Sequence, residues 1–286
     1  MSKIAVIGIV GNSVFLPVAR FHECGETVEA SDIHFEPGGK GFNQAVAAKR
    51  CGVEVSFLAA VGKDGENDFA EFLNSEGIRH TLITKDKPGA FASIVTDKNG
   101  SNRVTVYQGA DLSRDDVVSF EGEIASADIL LLNNEVPECV NIEAMRIAGL
   151  HGVKCILNPA PAKKLDDFIL ENTFLFTPNE HETEGLDGYN LVITLGKKGC
   201  HISATDEHIP AVDVAPVVDT TGAGDTFNGV LAAELASGTD TGTAVRRANL
   251  ASSISVTRKY AVSSIPTKET IDQYQKEGKD TSCNND

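Results

Sequence analysis

One carboxylate, Asp225, stands among small residues in 218-VDTTGAGDTFNGVLAAELASG-238, directly before an apolar helical pattern. The glycines before it, Gly222 and Gly224, have no Cβ, so their backbone amides can approach a ligand closely. Unpaired N–H groups and the helix dipole at the start of a helix favour an anion. The motif therefore predicts an anion-binding loop beside a carboxylate, and the alternative is that Asp225 only caps the helix.

A second glycine cluster, 38-GGKGFN-43, opens another helical pattern. It combines an accessible backbone with one cation, Lys40, and one amide, Asn43. An amide side chain donates and accepts hydrogen bonds in fixed directions, which suits a ligand rich in hydroxyl groups. The alternative is a helix start that carries a solvated lysine.

Two further polar clusters follow predicted buried strands, 177-TPNEHE-182 and 194-TLGKKG-199. In the first, Asn179 and Glu182 could hold a hydrated Mg²⁺ or orient phosphate groups. A zinc site is excluded because no cysteine or second histidine stands at ligand spacing from His181, which we expect at the surface. Ligands of open α/β sheets bind at the carboxyl ends of strands, so these clusters should meet at one edge of one sheet.

Two common nucleotide-binding motifs are missing from the sequence. No segment fits the G-x-x-x-x-G-K-[ST] spacing of a P-loop, and GIVG at 8–11 falls short of G-x-G-x-x-G. A dinucleotide-binding fold of the usual kind is therefore unsupported.

The elements that must position these residues alternate between strand and helix. Short, continuous apolar runs are typical of strands buried in a parallel sheet. We predict strands at 4–8, 53–61, 129–133, 154–158, 174–177 and 191–195, and helices from 41 onward and at 68–76, 138–151, 223–237 and 241–257. A weakly alternating strand at 26–35 and a hairpin of 90–96 and 103–107 around 97-DKNGSN-102 interrupt this rhythm, and they predict a small accessory element such as a lid.

The connection between the strands that end near Asn179 and begin at Leu191 is unusually short. Only about ten residues, EHETEGLDGY, lie between them, whereas a parallel crossover usually needs about a dozen or more. Either this crossover is abnormally compact, or the two strands are not adjacent and parallel.

Charge and composition exclude some classes of function. The 286 residues carry a formal net charge of -16, which argues against non-specific binding to nucleic acid or an anionic membrane surface. The apolar runs are too short to span a bilayer. The N-terminal MSKIAVIGIVGNSVF is broken by glycines and is interpreted as a first buried strand rather than a signal peptide.

The cysteines and the chain end predict a reducing location and a polar tail. The six cysteines are scattered without a C-x-x-C pair, as expected of reduced thiols in a cytoplasmic protein. We predict one domain over 1–275, with lid strands at about 26–36 and 90–108. The polar segment 276–286 is expected to be a disordered tail.

Six segments resemble, in order and spacing, the ribokinase (PfkB-type) carbohydrate kinases. They are GGKGFNQAVAAKRCG, NPAPA (158–162), TPNEHE, ITLGKKG (193–199), VDTTGAGDTFNG and SVTRKYAVSSIP (255–266). The match runs from about residue 4 to residue 274, and the pairing of an early GGKGxN with a late DTxGAGDxFxG is highly specific. Within the family, NPAPA and SVTRK are most similar to the ribokinases.

The resemblance implies a ribokinase-like α/β fold with a central, mostly parallel sheet, helices on both faces and a small β lid. It also implies ATP-dependent phosphorylation of the primary hydroxyl of a sugar, with Mg²⁺ and a monovalent cation, usually K⁺. Asp225 would be the catalytic base and would contact the sugar, while the amides of Gly222, Ala223, Gly224 and Asp225 would form an anion hole. Phosphoryl transfer requires a base that activates the attacking hydroxyl and oriented groups that stabilise the charge on the phosphoryl group.

The same resemblance assigns the remaining candidate residues by position. The sugar would contact Gly39, Lys40, Gly41, Asn43, Glu135 and Ser13. ATP would face Asn179, Thr194, Gly196, Gly199, Gly224 and Asn249, with Glu182 near Mg²⁺ through water. The monovalent cation would be held, largely through carbonyl groups, by Asp219, Thr221, Ser255, Arg258, Tyr260 and Ser264.

Two departures from the family pattern affect these expectations. Ribokinases carry Asn-x-Asp after the first strand, and here the matching positions are Gly11 and Ser13. A serine is neutral and shorter, so it does not accept two hydroxyl hydrogen bonds as a carboxylate does. The short connection 180–190 stands where the family normally has a helix.

The leading interpretation is a ribose kinase that forms ribose 5-phosphate. The alternatives are a kinase for another sugar or a nucleoside, and a non-catalytic sugar- or nucleotide-binding member of the fold. The expected partners are a small-molecule sugar and a second copy of the chain, because exposed lid strands leave open sheet edges. We expect neither nucleic-acid nor membrane partners, and we expect a cytoplasmic location.

Overall fold

The structure is a computed structural model that describes residues 1–63, 66–98, 101–214 and 216–282. Its strands are β1 (Lys3–Ile7), β2 (Gly11–Pro17), β3 (His34–Gly38), β4 (Glu54–Gly62), β5 (Arg79–Lys85), β6 (Ala90–Thr96), β7 (Asn102–Tyr107), β8 (Ile129–Asn133), β9 (Lys154–Asn158), β10 (Leu175–Phe176), β11 (Val192–Thr194), β12 (Cys200–Ile202) and β13 (Glu207–Ile209). Its helices are α1 (Lys40–Arg50), α2 (Glu66–Ser75), α3 (Arg114–Ser119), α4 (Glu121–Ala125), α5 (Glu138–His151), α6 (Asp167–Asn172), α7 (Ala223–Ala236), α8 (Thr241–Ser255) and α9 (Lys268–Ser282). Short 3-10 helices cover Gly196–Lys198 and Val262–Ser264.

The main sheet is parallel and has the strand order β10-β9-β8-β1-β4-β5. Alternate residues of a strand point to opposite faces of its sheet. Accordingly, Ile4 and Val6 pack in a core cluster with α1, α7 and α8, while Ala5 and Ile7 pack in another with α3 to α6. Both faces are thus covered by helices, which confirms the predicted α/β class.

A smaller sheet has the order β3-β2-β6-β7, with β2 parallel to β6 and antiparallel to β3. We predicted a lid strand over 26–36, but the strand covers only His34–Gly38, and an isolated bridge from Ala30 to Val18 precedes it. The physical reason is local, because Asp32 Oδ1 accepts the N–H of Ile33 at 2.8 Å, which withdraws that amide from strand pairing.

Strand β2 was not predicted, because Gly11 and Asn12 look like strand breakers. Gly11 makes the pairing with β6 possible: a Cβ on it would lie 2.2 Å from the carbonyl oxygen of Ala90. The two strands of the predicted hairpin, β6 and β7, do pair antiparallel. However, β6 is an interior strand, so of the two only β7 leaves an open edge. The centre of the turn, residues 99–100, lies outside the described residues.

The short connection 180–190 is a compact crossover built of turns. Isolated parallel bridges join Phe176 to Leu191 and Asn179 to Thr194, so β11 lies beside β10 and parallel to it. Within the connection, Leu186 is buried and the ring of Tyr189 meets that of Phe176 edge-on, at 5.8 Å between centroids. The first of the two alternatives from the sequence is therefore correct.

The segment 276–286, which was predicted to be a disordered tail, begins inside helix α9. Helix α9 continues to Ser282, whereas 283–286 lie outside the described residues. The helix is anchored before the polar run begins, because Ile271 is fully buried and Asp272 forms an ion pair with Arg247. An anchored helix propagates at one hydrogen bond per added residue, which explains how a polar sequence continues it.

The described part of the chain contains no helix that is long and apolar enough to cross a bilayer. Its cysteines, namely Cys24, Cys51, Cys139, Cys155 and Cys200, are all free thiols.

Candidate active site

Asp225 lies in the first turn of α7 and is buried. Its Oδ2 accepts a hydrogen bond from Asn43 Nδ2 at 2.9 Å, and its Oδ1 accepts one from Gln44 Nε2 at 3.2 Å. No side chain caps α7, whose N-cap residue is Gly222. The interpretation of Asp225 as a helix cap is therefore wrong, because α1 supplies the donors and the first-turn amides of α7 do not.

The close packing of α1 against α7 brings these donors to Asp225. Gly229, one turn along α7, lies so near α1 that a Cβ on it would be 2.4 Å from the carbonyl oxygen of Gln44 and 2.5 Å from the Cβ of Ala47. The side chains of the second glycine motif and of the late aspartate motif thus meet, although 182 residues separate Asn43 from Asp225.

Opposing influences act on the pKa of Asp225. Burial has the largest effect and raises the pKa, because a charged carboxylate loses its hydration. The nearby Lys40 and the hydrogen bonds from Asn43 and Gln44 lower it, but the pKa remains above its usual value. Burial disfavours the charged form of Lys40 as well, and for a cation this lowers the pKa. Neighbouring carboxylates have the opposite effect, and the pKa of Lys40 lies above its usual value. These carboxylates belong to Asp225, Glu135 and Glu182.

Glu135, which follows β8, joins this group through the backbone of α1. Its Oε2 accepts the N–H of Lys40 at 2.7 Å, and its own N–H donates to Asn133 Oδ1 at 2.9 Å. Burial raises the pKa of the Glu135 carboxyl to about 7, against a partial lowering by Lys40. The residues predicted to contact a sugar at the start of α1 therefore lie beside an acid that titrates near neutrality.

We expect Glu135→Gln to stabilise the protein progressively as the pH rises from about 5 to 8. The folded-state pKa of about 7 exceeds the ordinary 4.5, so the folded state binds more protons and stability is lost as the pH rises through this window. Glutamine removes that loss, on the order of 1–3 kcal/mol at pH 8. Urea unfolding of both proteins at pH 5, 6, 7 and 8 measures it, and a pH-independent difference would contradict the expectation.

The structure also places the remaining predicted sugar contacts. Gly39 is the N-cap residue of α1, and Gly41 is buried in its first turn. Ser13 is buried on β2, where it pairs with Glu36 of β3, two residues before Gly38. Strand β3 ends at Gly38 and α1 begins at Lys40, so the GGKG turn connects the small sheet directly to α1.

A cavity of about 1110 Å³ opens beside Asp225 and α7. Its lining includes the residues that the sequence predicted to face a nucleotide, namely Asn179, Glu182, Thr194, Gly196, Gly199, Gly224 and Asn249. Gly222, the first α7 residue Ala223, Lys40 and Asp225 also line it. The three polar clusters that were predicted to converge thus line one cavity, although β11, which precedes TLGKKG, belongs to the three-stranded sheet β11-β12-β13 and reaches β10 through isolated bridges.

Hydrogen bonds in the cavity wall hold several of these side chains. Asn179 Oδ1 accepts the N–H of His181 at 2.8 Å, and Glu182 Oε2 accepts the N–H of Asn179 at 3.0 Å. Asn249 Nδ2 donates to the carbonyl of Pro210 at 2.7 Å. His181 is exposed, as predicted, although it also borders the cavity.

The residues predicted to hold a monovalent cation come from neighbouring segments. Asp219 is buried, and its Oδ1 accepts the N–H and the hydroxyl of Thr221 at 2.9 and 2.7 Å. Its Oδ2 accepts the N–H of Tyr260 at 2.9 Å. The hydroxyls of Ser255 and Ser264 donate within their own turns, and the Arg258 residue is exposed.

Sequence reasoning missed four polar residues that support this centre. They are Gln44, Asn158, Thr177 and Asn228. Asn158 Nδ2 donates to the carbonyl of Thr177 at 2.9 Å, the Thr177 hydroxyl donates to Asn228 Oδ1, and Asn228 Nδ2 donates to the carbonyl of Gly224 at 2.8 Å. Each of them lies in one of the segments that resemble the family, and this position was the only sequence feature that could have indicated them.

Comparison with known proteins identifies the family. The model of the pfkB family carbohydrate kinases matches residues 1–268. A ribokinase of Bacillus subtilis is 34% identical over 96% of this chain and 99% of its own length. A bifunctional ribokinase/ribose-5-phosphate isomerase A of Fructilactobacillus sanfranciscensis is 35% identical over 95% of this chain, which spans 56% of that relative.

Among solved structures, a ribokinase from Thermotoga maritima superposes with a TM-score of 0.85 at 32% identity, over 96% of this chain and 100% of the other. The family model covers well over half of the chain, and the fold agrees with it over nearly the whole length. The chain therefore belongs to the pfkB family of carbohydrate kinases and has the ribokinase-like fold.

Proposed function

We propose that the chain transfers the γ-phosphoryl group of ATP to the primary hydroxyl of ribose and forms ribose 5-phosphate. The observation that carries this proposal is the buried carboxylate of Asp225, which lies between the GGKGFN segment and the large cavity at the start of α7. Relatives named ribokinase support ribose as the acceptor.

In this mechanism Asp225 accepts the proton of the attacking hydroxyl. The backbone amides of Gly222, Ala223, Gly224 and Asp225 stabilise the negative charge that develops on the transferred phosphoryl group, because they lie at the start of a helix. Phosphoryl transfer depends mainly on positioning and charge neutralisation, and these groups provide both.

The sugar side of the site has a matching set of polar groups. Asn43 Oδ1 is buried and has no hydrogen-bond partner within the described structure, so it is available to accept from a sugar hydroxyl. Lys40 and Glu135 stand beside it at the start of α1. A hydroxyl-rich ligand would satisfy Asn43, whereas an apolar ligand would leave it unpaired.

The residues proposed for Mg²⁺ offer one carboxylate, whereas those proposed for the monovalent cation offer several oxygen atoms. Within the described ranges, no group of three or more acidic, histidine or cysteine side chains is arranged to hold a metal. Glu182 would therefore contact Mg²⁺ through water, and Mg²⁺ would neutralise phosphate charge. For K⁺, Asp219 and the backbone of 255–264 supply oxygen atoms, and Arg258 would contribute only its carbonyl because its side chain is cationic.

A coupled assay of ADP release tests the proposed function. Ribose, other pentoses, hexoses and nucleosides are compared at one concentration with ATP and Mg²⁺, in the presence and absence of K⁺. We expect turnover with ribose. Turnover restricted to a different acceptor would overturn ribose as the substrate, and tight ATP binding without turnover on any acceptor would favour a binding protein.

One observation keeps a different acceptor as the second candidate. Ser13 stands where ribokinases carry the aspartate of Asn-x-Asp, and it is buried on β2. Gly11 admits no side chain, because the carbonyl of Ala90 occupies the space. A sugar or nucleoside that needs no carboxylate at the position of Ser13 is therefore the second candidate acceptor after ribose.

We also propose that two copies associate through the small sheet. Phe35, Phe91 and Tyr107 point from one face of that sheet and are 63%, 43% and 52% exposed. Exposed apolar patches of this kind are typical of interaction sites. Sedimentation at micromolar concentration should show a dimer, and Phe35→Glu should shift it towards a monomer. A monomeric wild-type protein would refute the proposal.

The other expectations stand as parts of the same proposal. The net charge of -16 supports the absence of nucleic-acid partners and of anionic membrane surfaces. Free thiols throughout the described residues support a reducing, cytoplasmic location.

A further inference from the structure

Gln44 is fully buried and links Asp225 to the main sheet. Its Nε2 lies 3.2 Å from Asp225 Oδ1 and 3.3 Å from Asn158 Oδ1. Asn158 is the last residue of β9, and its Nδ2 donates to the carbonyl of Thr177, just beyond β10. A continuous chain of hydrogen bonds thus connects the ends of β9 and of the edge strand β10 to the carboxylate.

The carbonyl group of Thr177 determines which group donates and which accepts in each of these hydrogen bonds. A backbone carbonyl only accepts hydrogen bonds, so Asn158 must present its NH₂ group to Thr177 and its oxygen to Gln44. Gln44 must therefore present its NH₂ group to Asn158, and the same group faces Asp225 Oδ1. The arrangement leaves Asp225 as the acceptor, which favours its ionised form.

We propose that Gln44 is a positioning residue that holds Asp225 in place and keeps it ionised for proton abstraction; this rests on the proposed function of Asp225 as the base. Asn43 donates to the other carboxylate oxygen, so each oxygen retains a lone pair for the acceptor hydroxyl. A residue that fixes both the position and the charge of a base acts on the chemical step and not on substrate binding.

The surroundings of Asp225 shift its pKa in both directions. Lys40, at the start of α1, lowers the pKa of Asp225, and burial raises it. Glu135, after β8, faces the same group, and Glu182 acts on Lys40. Removing the donor at Gln44 leaves these groups unchanged, so a shift in the titration of Asp225 would report on Gln44 alone.

The test compares Gln44→Met and Gln44→Glu with wild type across a pH series of kcat. We expect Gln44→Met to lower kcat about 10- to 100-fold and to move its acidic limb upward by about one pH unit, since hydrogen bonds to charged groups are of this strength. Gln44→Glu should have a larger effect, because its carboxylate repels Asp225. The KM values for ATP and sugar should change less than about threefold.

Thr226→Val is the matched control for packing. Thr226 is fully buried beside Asp225, and its hydroxyl has no hydrogen-bond partner in the described structure. Its replacement alters the same helix turn without removing a bond to the carboxylate, so kcat and the acidic limb should stay as in wild type. If Thr226→Val shifts the acidic limb as Gln44→Met does, the effect is one of packing and the proposal fails.

A measurement on the wild-type protein keeps the test valid if the variants do not fold. The side-chain NH₂ resonances of Gln44, followed by NMR, should titrate with the midpoint of the acidic limb, and this titration should vanish in Asp225→Asn. Gln44 resonances that do not respond to pH would overturn the proposal. Normal turnover by Asp225→Asn would instead overturn the proposed function, so the two failures are distinguishable.

Discussion

Replacing Asp225 by Asn is expected to lower kcat by about 10²- to 10⁴-fold, the usual contribution of a positioned general base. The substitution keeps the size of the side chain but removes the basic oxygen that would take the hydroxyl proton. ATP binding should remain within about threefold, because it depends on the cavity and the α7 amides rather than on the carboxylate. Steady-state kinetics with the accepted sugar and calorimetric titration of ATP measure the two effects.

Asp240→Asn is the matched control for this prediction. Asp240 is a true helix cap, since its side chain accepts the N–H of Thr243 at the start of α8. Asparagine is an equally good cap residue, so kcat should not change there. Near-normal turnover by Asp225→Asn would show that the Asp225 carboxylate does not act as the base.

Gly229→Ala is expected to lower the free energy of unfolding by about 1–3 kcal/mol and to reduce kcat as well. The new Cβ would lie 2.4 Å from the carbonyl oxygen of Gln44 and 2.9 Å from the backbone N of Ala48. Backbone atoms of α1 must move to relieve these contacts, and the donors Asn43 and Gln44 move with them. Urea unfolding and kcat, measured on the same preparation, test the coupled loss.

Gly149→Ala in α5 provides the control for glycine replacement in a helix. A Cβ at Gly149 would meet no atom within 4 Å, so alanine should raise the free energy of unfolding by up to about 1 kcal/mol through its helix propensity. If Gly229→Ala also stabilises the protein and leaves kcat unchanged, the close approach of α1 and α7 does not hold the donors on Asp225.

Much of the architecture was predictable because it depends on residue patterns within short segments of the chain. The apolar runs at 129–133 and 154–158 coincide with β8 and β9, and the predicted helix 138–151 coincides with α5. Parallel strands place their carboxyl ends at one edge, so the polar residues after them had to converge. The strand predicted at 26–36 is shorter in the structure because its alternation is weak and the N–H of Ile33 donates to the Asp32 side chain rather than to a neighbouring strand.

The supporting residues could not be predicted, because their roles depend on distances between remote segments. Gln44 is 181 residues from Asp225 and 114 from Asn158 along the chain. A buried glutamine in an apolar helix has no periodicity that distinguishes a structural amide from a positioning one. The compact crossover 180–190 was undecidable for the same reason, since bridges between Phe176 and Leu191 and between Asn179 and Thr194 settled it.

By itself the sequence determined the α/β class and the family resemblance, and the resemblance implied which carboxylate is expected to act as a base. These follow from residue types and short spacings, which act within one strand, turn or helix. Only the tertiary structure decided that Asp225 is held by Asn43 and Gln44 and does not cap α7. The reason is physical: hydrogen bonds and pKa shifts depend on which groups share a buried volume, and packing α1 against α7 determines that volume.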